Sequence, residues 1–397
     1  MSWEYPPIVA GGLARHVGKL SEALARAGVE VHVLTRGRSG MPAEQTCSGV
    51  VVHRVREDDM PRDLDAFVAW VEGMNSHLHA AGRLLARRLR FDVVHGHDWL
   101  VAGAAAAIAG RLRRPYLTTI HATEHGRHQG WVDKHPQSYI HGIETWMAGR
   151  ADGVVTCSHY MRGHVADVFG IDERRIAVIA NGIDRDDLHP VADLAALRAR
   201  FAEPAERLVL LAGRLVYEKG FQLALDALPR VIRESGRVRF LVAGSGTHEA
   251  ELRAQAERLG LMRHGTFIGW IGDDVLHSLY RIADLCVVPS IYEPFGLVAL
   301  EAMASGCPCI VADTGGLREV VPSADVGLRF ASRDPRALAT MMRRVLDDDA
   351  LRERLVAEAS VHVRGFDWDD VARRTARVYA RLGATQGELP RGALRRA

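Results

Sequence analysis

Glu293-Pro-Phe-Gly-Leu-Val-Ala-Leu-Glu301 lies between the apolar run Asp284-Leu-Cys-Val-Val-Pro289 and the stop Gly306-Cys-Pro308. The run reads as a buried strand, and Gly296 to Ser305 has helical composition that Gly306 and Pro308 terminate. Glu293 is therefore expected in the loop at the strand's carboxyl end, with Glu301 about two turns into the helix. Residues seven or eight apart stack on one helix face, so the two acids should look the same way. A helix N-terminus offers unpaired N–H groups and partial positive charge, which suits an anionic or hydroxyl-rich ligand. Glu301 could then hold a ribose diol, while Glu293 and the amides of Phe295, Gly296 and Leu297 hold a hexose. The plainer alternative is one glutamate used as a cap and another on a solvated face.

A second stretch about eighty residues earlier counts against that alternative. Leu208-Val-Leu-Leu-Ala-Gly-Arg-Leu-Val-Tyr-Glu-Lys-Gly220 reads as a buried strand with a tight exit at Gly213, followed by Arg214 and Lys219. Ligands of open α/β sheets bind at the carboxyl ends of the strands. A planar guanidinium fork and a compact ammonium suit a diphosphate. Two cations at one strand end and two acids at another are hard to read as unrelated surface charges.

The pair GRLVYEKG and EPFGLVALE resembles the retaining glycosyltransferases of family four. Further matches are Ser2-Trp-Glu-Tyr-Pro-Pro7, Gly11-Gly-Leu-Ala-Arg-His16, His95-Gly-His-Asp-Trp99, Thr119-Ile-His-Ala-Thr-Glu124, Asn181-Gly-Ile-Asp184, Gly244-Ser-Gly246 and Thr314-Gly-Gly-Leu-Arg-Glu319. Together they are most similar to the actinobacterial α-1,4-glucosyltransferases of glycogen and methylglucose lipopolysaccharide synthesis. The resemblance implies the α/β GT-B architecture: two Rossmann-like domains facing each other across a cleft, with a C-terminal helix crossing back to the first. It implies transfer of an α-glucosyl unit from ADP-glucose or UDP-glucose to the non-reducing end of an α-1,4-glucan. The alternative is a hexosyl- or mannosyltransferase acting on a lipid-linked or small-molecule acceptor at a membrane surface.

Composition agrees with this reading. The 397 residues allow two ordinary domains. Fifty-one basic against forty-nine acidic residues leave +2, which gives no electrostatic case for nucleic acid. No apolar stretch is long enough to span a bilayer, and the N-terminus lacks a signal-peptide layout. The five cysteines show no metal-type pairing; Cys307-Pro-Cys309 reads as core rather than redox pair, and the expected compartment is the cytoplasm. A catalytically silent glycan-binding protein and a dehydrogenase are the competing classes. The intact cations and acids speak against the first, and the missing third glycine after Gly244-Ser-Gly246 speaks against the second.

Apolar strands alternate with helical stretches throughout, as parallel α/β sheets require. The domains are expected at 1–189, the acceptor side, and 190–365, the nucleotide-sugar side, with a crossover helix over 366–384 and a disordered tail over 385–397. Members of the resembled family carry an apolar strand ahead of Ser2-Trp-Glu-Tyr. The expectation is that the natural product has several more N-terminal residues supplying it.

By the resemblance, Arg214 and Lys219 stabilise the charge on the departing diphosphate, helped by the Gly12 amide at the Gly11-Gly12 turn. His121 lies beside the hexose, Asp98 and Asn181 shape its pocket, and Glu293 bonds its 3- and 4-hydroxyls. The catalytic set is thus His121, Arg214, Lys219 and Glu293. Donor contacts add Gly11, Gly12, Asp98, Asn181, Phe295, Gly296, Leu297 and Glu301. Glycogen synthases of this type carry a lysine where this chain has Val9, so Arg214 and Lys219 must supply the cations alone. No cofactor or metal is expected: His121 and His125 are spaced four apart, but the glycines and Pro136 after them read as an acceptor-side loop. Arg83, Arg87, Arg88 and Arg90 read as a basic helix cluster, a solvated face in preference to a membrane contact.

Overall fold

Short runs of valine, leucine and isoleucine cannot hide both faces against water alone, so each strand pairs laterally and takes helices on its faces. In this computed structural model, which describes residues 1–9, 11–57, 60, 61 and 63–385, the chain divides into two units. Unit 1 is Met1–Gly182 plus the C-terminal stretch from Asp367; unit 2 is Ile183–Phe366. The tail beyond Thr385 lies outside the described residues. The change of unit comes at Gly182–Ile183, ahead of the linker sought around His189-Pro190. The reason is packing: Leu188 is buried, and the Val191 amide donates to Ser278 Oγ at 2.7 Å.

Unit 1 carries β1 (Val31–Gly37), β2 (Glu44–Cys47), β3 (Val50–Arg56), β4 (Val94–His97), β5 (Tyr116–Ile120), β6 (Gly153–Thr156) and β7 (Ile176–Val178). One sheet runs β1-β3-β2, the other β4-β5-β6-β7, and only β2 is antiparallel. Strand β2 escaped sequence reading because Glu44–Cys47 is exposed along its whole length and carries no alternation. Met1 and Ser2 bond to both sheets: the Ser2 amide donates to Leu34 O at 3.3 Å, and the His97 amide donates to Met1 O at 3.1 Å.

Helix Gly12–Arg26 serves two cores. Its Val17 packs with Tyr5, Val33, Val50 and Val52, while Leu20, Ala23 and Leu24 pack with Leu117, Val155 and Trp368. The C-terminal helix, Trp368–Thr385, lies against helix Gly12–Arg26, and Arg26 pairs with Asp369 at 2.8 Å. Gly182 is what admits Trp368, since a Cβ there would sit 2.6 Å from the indole. The basic cluster is not one helix face. The helix from Leu64 ends at Leu85, leaving Arg87, Arg88 and Arg90 beyond it.

Unit 2 carries β8 (Arg207–Ala212), β9 (Val238–Ala243), β10 (Gly265–Gly269), β11 (Leu285–Val288), β12 (Cys309–Ala312) and β13 (Leu328–Phe330). They form one parallel sheet in the order β10-β9-β8-β11-β12-β13. Leu208, Val209, Leu210 and Leu211 are wholly buried, as a strand covered on both faces must be. From β8 the chain steps outward through β9 and β10, then returns to the other side of β8 with β11. That reversal is the place where such sheets open a ligand crevice.

Candidate functional site

In unit 2 the two quoted stretches meet at the reversal. Leu285 pairs with Val209 and Cys286 with Leu210, so the carboxyl ends of β8 and β11 are neighbours. Past those ends, Lys219 Nζ lies 2.7 Å from Glu293 Oε2, and Ser290 Oγ donates to the same oxygen at 3.0 Å. Glu293 is buried, and Lys219 is only partly exposed. The Glu293 backbone is held as well, its carbonyl accepting the Gly316 amide at 2.9 Å. Arg214 is half-exposed, with Glu218 Oε1 3.8 Å from its guanidinium. Phe295 is buried against Phe366, and Gly296 opens helix Leu297–Ala304. The first amides of that helix have no acceptor within it.

Glu301 differs from expectation. It is the fifth residue of the helix, little more than one turn in, and it is buried with Tyr280 Oη donating to its Oε2 at 3.2 Å. The two acids therefore have separate partners, Lys219 and Ser290 for one and Tyr280 for the other. Two aromatic side chains that sequence reasoning passed over stand on the same sheet edge. Trp270, 76% exposed, follows β10 directly, and Tyr217, 52% exposed, follows β8. A large aromatic ring in the loop past an apolar run is the signal that could have marked them.

In unit 1 the family-matched residues gather around histidines. Asp98, after β4, accepts the His121 amide at 2.7 Å; His121 follows β5 and Asn181 follows β7. His97 Nδ1 is 3.1 Å from His121 Nε2, and the His16 ring stands 4.5 Å from that of His121. His16 Nδ1 and Asn181 Oδ1 are both buried and without a hydrogen-bond partner among the described residues. On the far side His95 stacks on His97 and bonds Thr119 Oγ1 at 2.7 Å and Tyr379 Oη at 2.8 Å. Gly11 is the N-cap of helix Gly12–Arg26, so the Gly12 amide is at the open end of that helix, and His16 is on the same helix. His16 and His97 sat inside the quoted motifs, but nothing in their spacing told them apart from packing residues.

Burial sets the charge of this cluster. Desolvation holds His16, His95 and His97 well below the usual imidazole range and brings His121 down to about 3, with Arg127 adding to the effect. All four are therefore neutral near pH 7. The same burial raises Asp98 to about 6 against the pull of the His121 amide and Arg127. His16, His97 and His121 place ring nitrogens within 4.8 Å of one another, the spacing of a metal trio. The His97–His121 hydrogen bond engages one of the lone pairs a metal would need. The His121–His141 stretch is not a plain loop: Glu124–Arg127 is a helical turn, and His141 is on helix Gln137–Arg150.

The fold is that of an enzyme built on two Rossmann-like α/β units. Residues 10–187 match the family described as Glycosyltransferase Family 4, and residues 196–362 match Glycosyl transferases group 1. The chain is 42% identical to a glycogen synthase of Mycobacterium tuberculosis, over 98% of this chain and 95% of that one. It is 33% identical to a D-inositol 3-phosphate glycosyltransferase of Kineococcus radiotolerans, over 96% and 94%. Sucrose-phosphate synthase from Thermosynechococcus elongatus superposes with a TM-score of 0.79 at 26% identity, covering 97% of this chain and 96% of that one. The chain belongs to the family-four glycosyltransferases of GT-B fold, enzymes that transfer a glycosyl unit from a nucleotide sugar. No helix among the described residues is long and apolar enough to cross a membrane.

Proposed function

We propose that the protein transfers an α-glucosyl unit from ADP-glucose or UDP-glucose to the non-reducing end of an α-1,4-glucan, with retention. The observation that carries this reading is the Lys219–Glu293 contact at the β8–β11 reversal. An ammonium that can meet a diphosphate stands beside a carboxylate that can meet sugar hydroxyls, both on a rigid sheet edge. Along that edge, Trp270 stacks on the base and Glu301 takes the ribose diol. Arg214 and Lys219 neutralise the diphosphate as the glycosidic bond breaks. Glu293, its Oε2 engaged by Lys219 and Ser290, turns Oε1 to the hexose. Within unit 1, neutral His121 with Asp98 and Asn181 offers a polar cluster suited to hexose hydroxyls, and the Gly12 amide stands at an open helix end suited to an anion.

Because it has lost its charge through burial, His121 acts in this scheme as a hydrogen-bonding and shape element rather than as a cation. The choice of glucan over other acceptors rests on the 42% identity to a glycogen synthase along nearly the whole chain. The 33% identity to inositol-phosphate glycosyltransferases supports a small phosphorylated acceptor as second reading. Nucleoside diphosphate release should be measured with ADP-glucose and UDP-glucose, against glycogen, maltooligosaccharides, an inositol phosphate and a lipid-linked acceptor. Turnover is expected with the glucans. Turnover confined to either of the other acceptors would overturn the glucan assignment.

A further inference from the structure

We propose that Glu144 is a positioning residue for His121, holding the backbone that carries it from beneath. This rests on the role given to His121 above. Glu144 is on helix Gln137–Arg150, outside every motif quoted from the sequence, and is only 3% exposed. Both its carboxyl oxygens lie within hydrogen-bond distance of the same backbone amide, that of Glu124, at 3.0 and 2.9 Å. Asp98, also buried, accepts the amides of His121 and Ala122. Two acids hidden from water thus grip three amides of the four-residue stretch His121–Glu124. Thr123 Oγ1 closes the next turn by accepting the Gly126 amide at 3.0 Å.

Burial opposes ionisation of Glu144 and raises it to about 8; the Glu124 amide and Arg127 work in the other direction, and Asp98 and Glu124 reinforce the rise. Arg127 acts on Asp98, His121 and Glu144 alike, which joins the two acids and the histidine in one electrostatic group. The helix Gln137–Arg150 packs on the turn Glu124–Arg127, so its own placement is passed on to His121.

The test is a double-mutant cycle of Glu144→Gln with His121→Ala, reading kcat and donor KM. Glutamine keeps the shape but offers only one acceptor oxygen and turns an NH2 toward the Glu124 amide. With His121 present, Glu144→Gln should lower kcat about 10- to 100-fold, the usual cost of a small misplacement in an active site, with donor KM little changed. In the His121→Ala background the same change should cost less than about twofold, because coupled residues are non-additive. Equal losses in both backgrounds, or full activity of the single variant, would overturn the proposal. If Glu144→Gln does not fold, Glu144→Asp, one methylene too short to reach, goes through the same cycle. An unaltered kcat in His121→Ala alone instead sinks the role of His121, a distinguishable outcome.

Discussion

Lys219 and Glu293 are each other's partners before any substrate arrives, and this fixes what substitution should do. Removing the ammonium leaves a buried carboxylate with one hydrogen bond fewer, a loss of about 1–3 kcal/mol in unit 2. In the proposed reaction it also takes away a cation that meets charge growing only as the diphosphate leaves. Such a donor is typically worth about 10²- to 10³-fold in kcat. Lys219→Met is therefore expected to lower kcat by that factor while circular dichroism and gel filtration stay native. A kcat within about threefold of the parent would remove Lys219 from the chemistry. Sequence spacing found both residues but not their contact, because seventy-three residues and three strands separate them in the chain. Glu301 shows the same limit: its acidic character was legible, whereas Tyr280 as its partner was decided by how two helices pack.

Among elements, the turn from β8 into helix Phe221–Ser235 is tightly constrained. Gly220 has φ +70°, and a Cβ there would lie 2.0 Å from the carbonyl oxygen of Pro289, at the end of β11. Glycine is thus required both for the backbone conformation and for the approach of the two strand ends that bring Lys219 to Glu293. Gly220→Ala is expected to cost at least about 2–3 kcal/mol from strain and displaced backbone, read as a lowered melting temperature and loss of activity. A variant of parental stability would mean the turn can relax without separating the strands. Nearly every parallel strand could be read from its apolar run, since burial favours valine, leucine and isoleucine at most of its positions. Strand β2, solvated along its length, and the helical turn at Glu124, held by Glu144 from a distant helix, left no such trace.

At the scale of the molecule, unit 1 buries four neutral histidines together with two acids of raised pKa. A depressed imidazole contributes stability that is present above about pH 6.5 and is lost as pH falls toward its folded value, about 3 for His121. The raised acids have the opposite sign: their contribution is full below the unfolded carboxylate range and is lost as pH rises through about 6 for Asp98 and about 8 for Glu144. With four groups against two, unfolding followed by a unit 1 probe should show maximum stability near neutral pH and a steep fall on the acid side below about pH 6. A flat melting temperature between about pH 4 and pH 7 would contradict the neutral cluster. The sequence alone determined the class of fold and singled out the stretches proposed to bind the donor, because strand burial, glycine turns and strand-end charges are local in the chain. Only the tertiary structure decided which buried groups touch, and hence which are neutral. Desolvation and hydrogen-bond partners come from residues that meet through folding, as Glu144 meets Glu124 and Tyr379 meets His95.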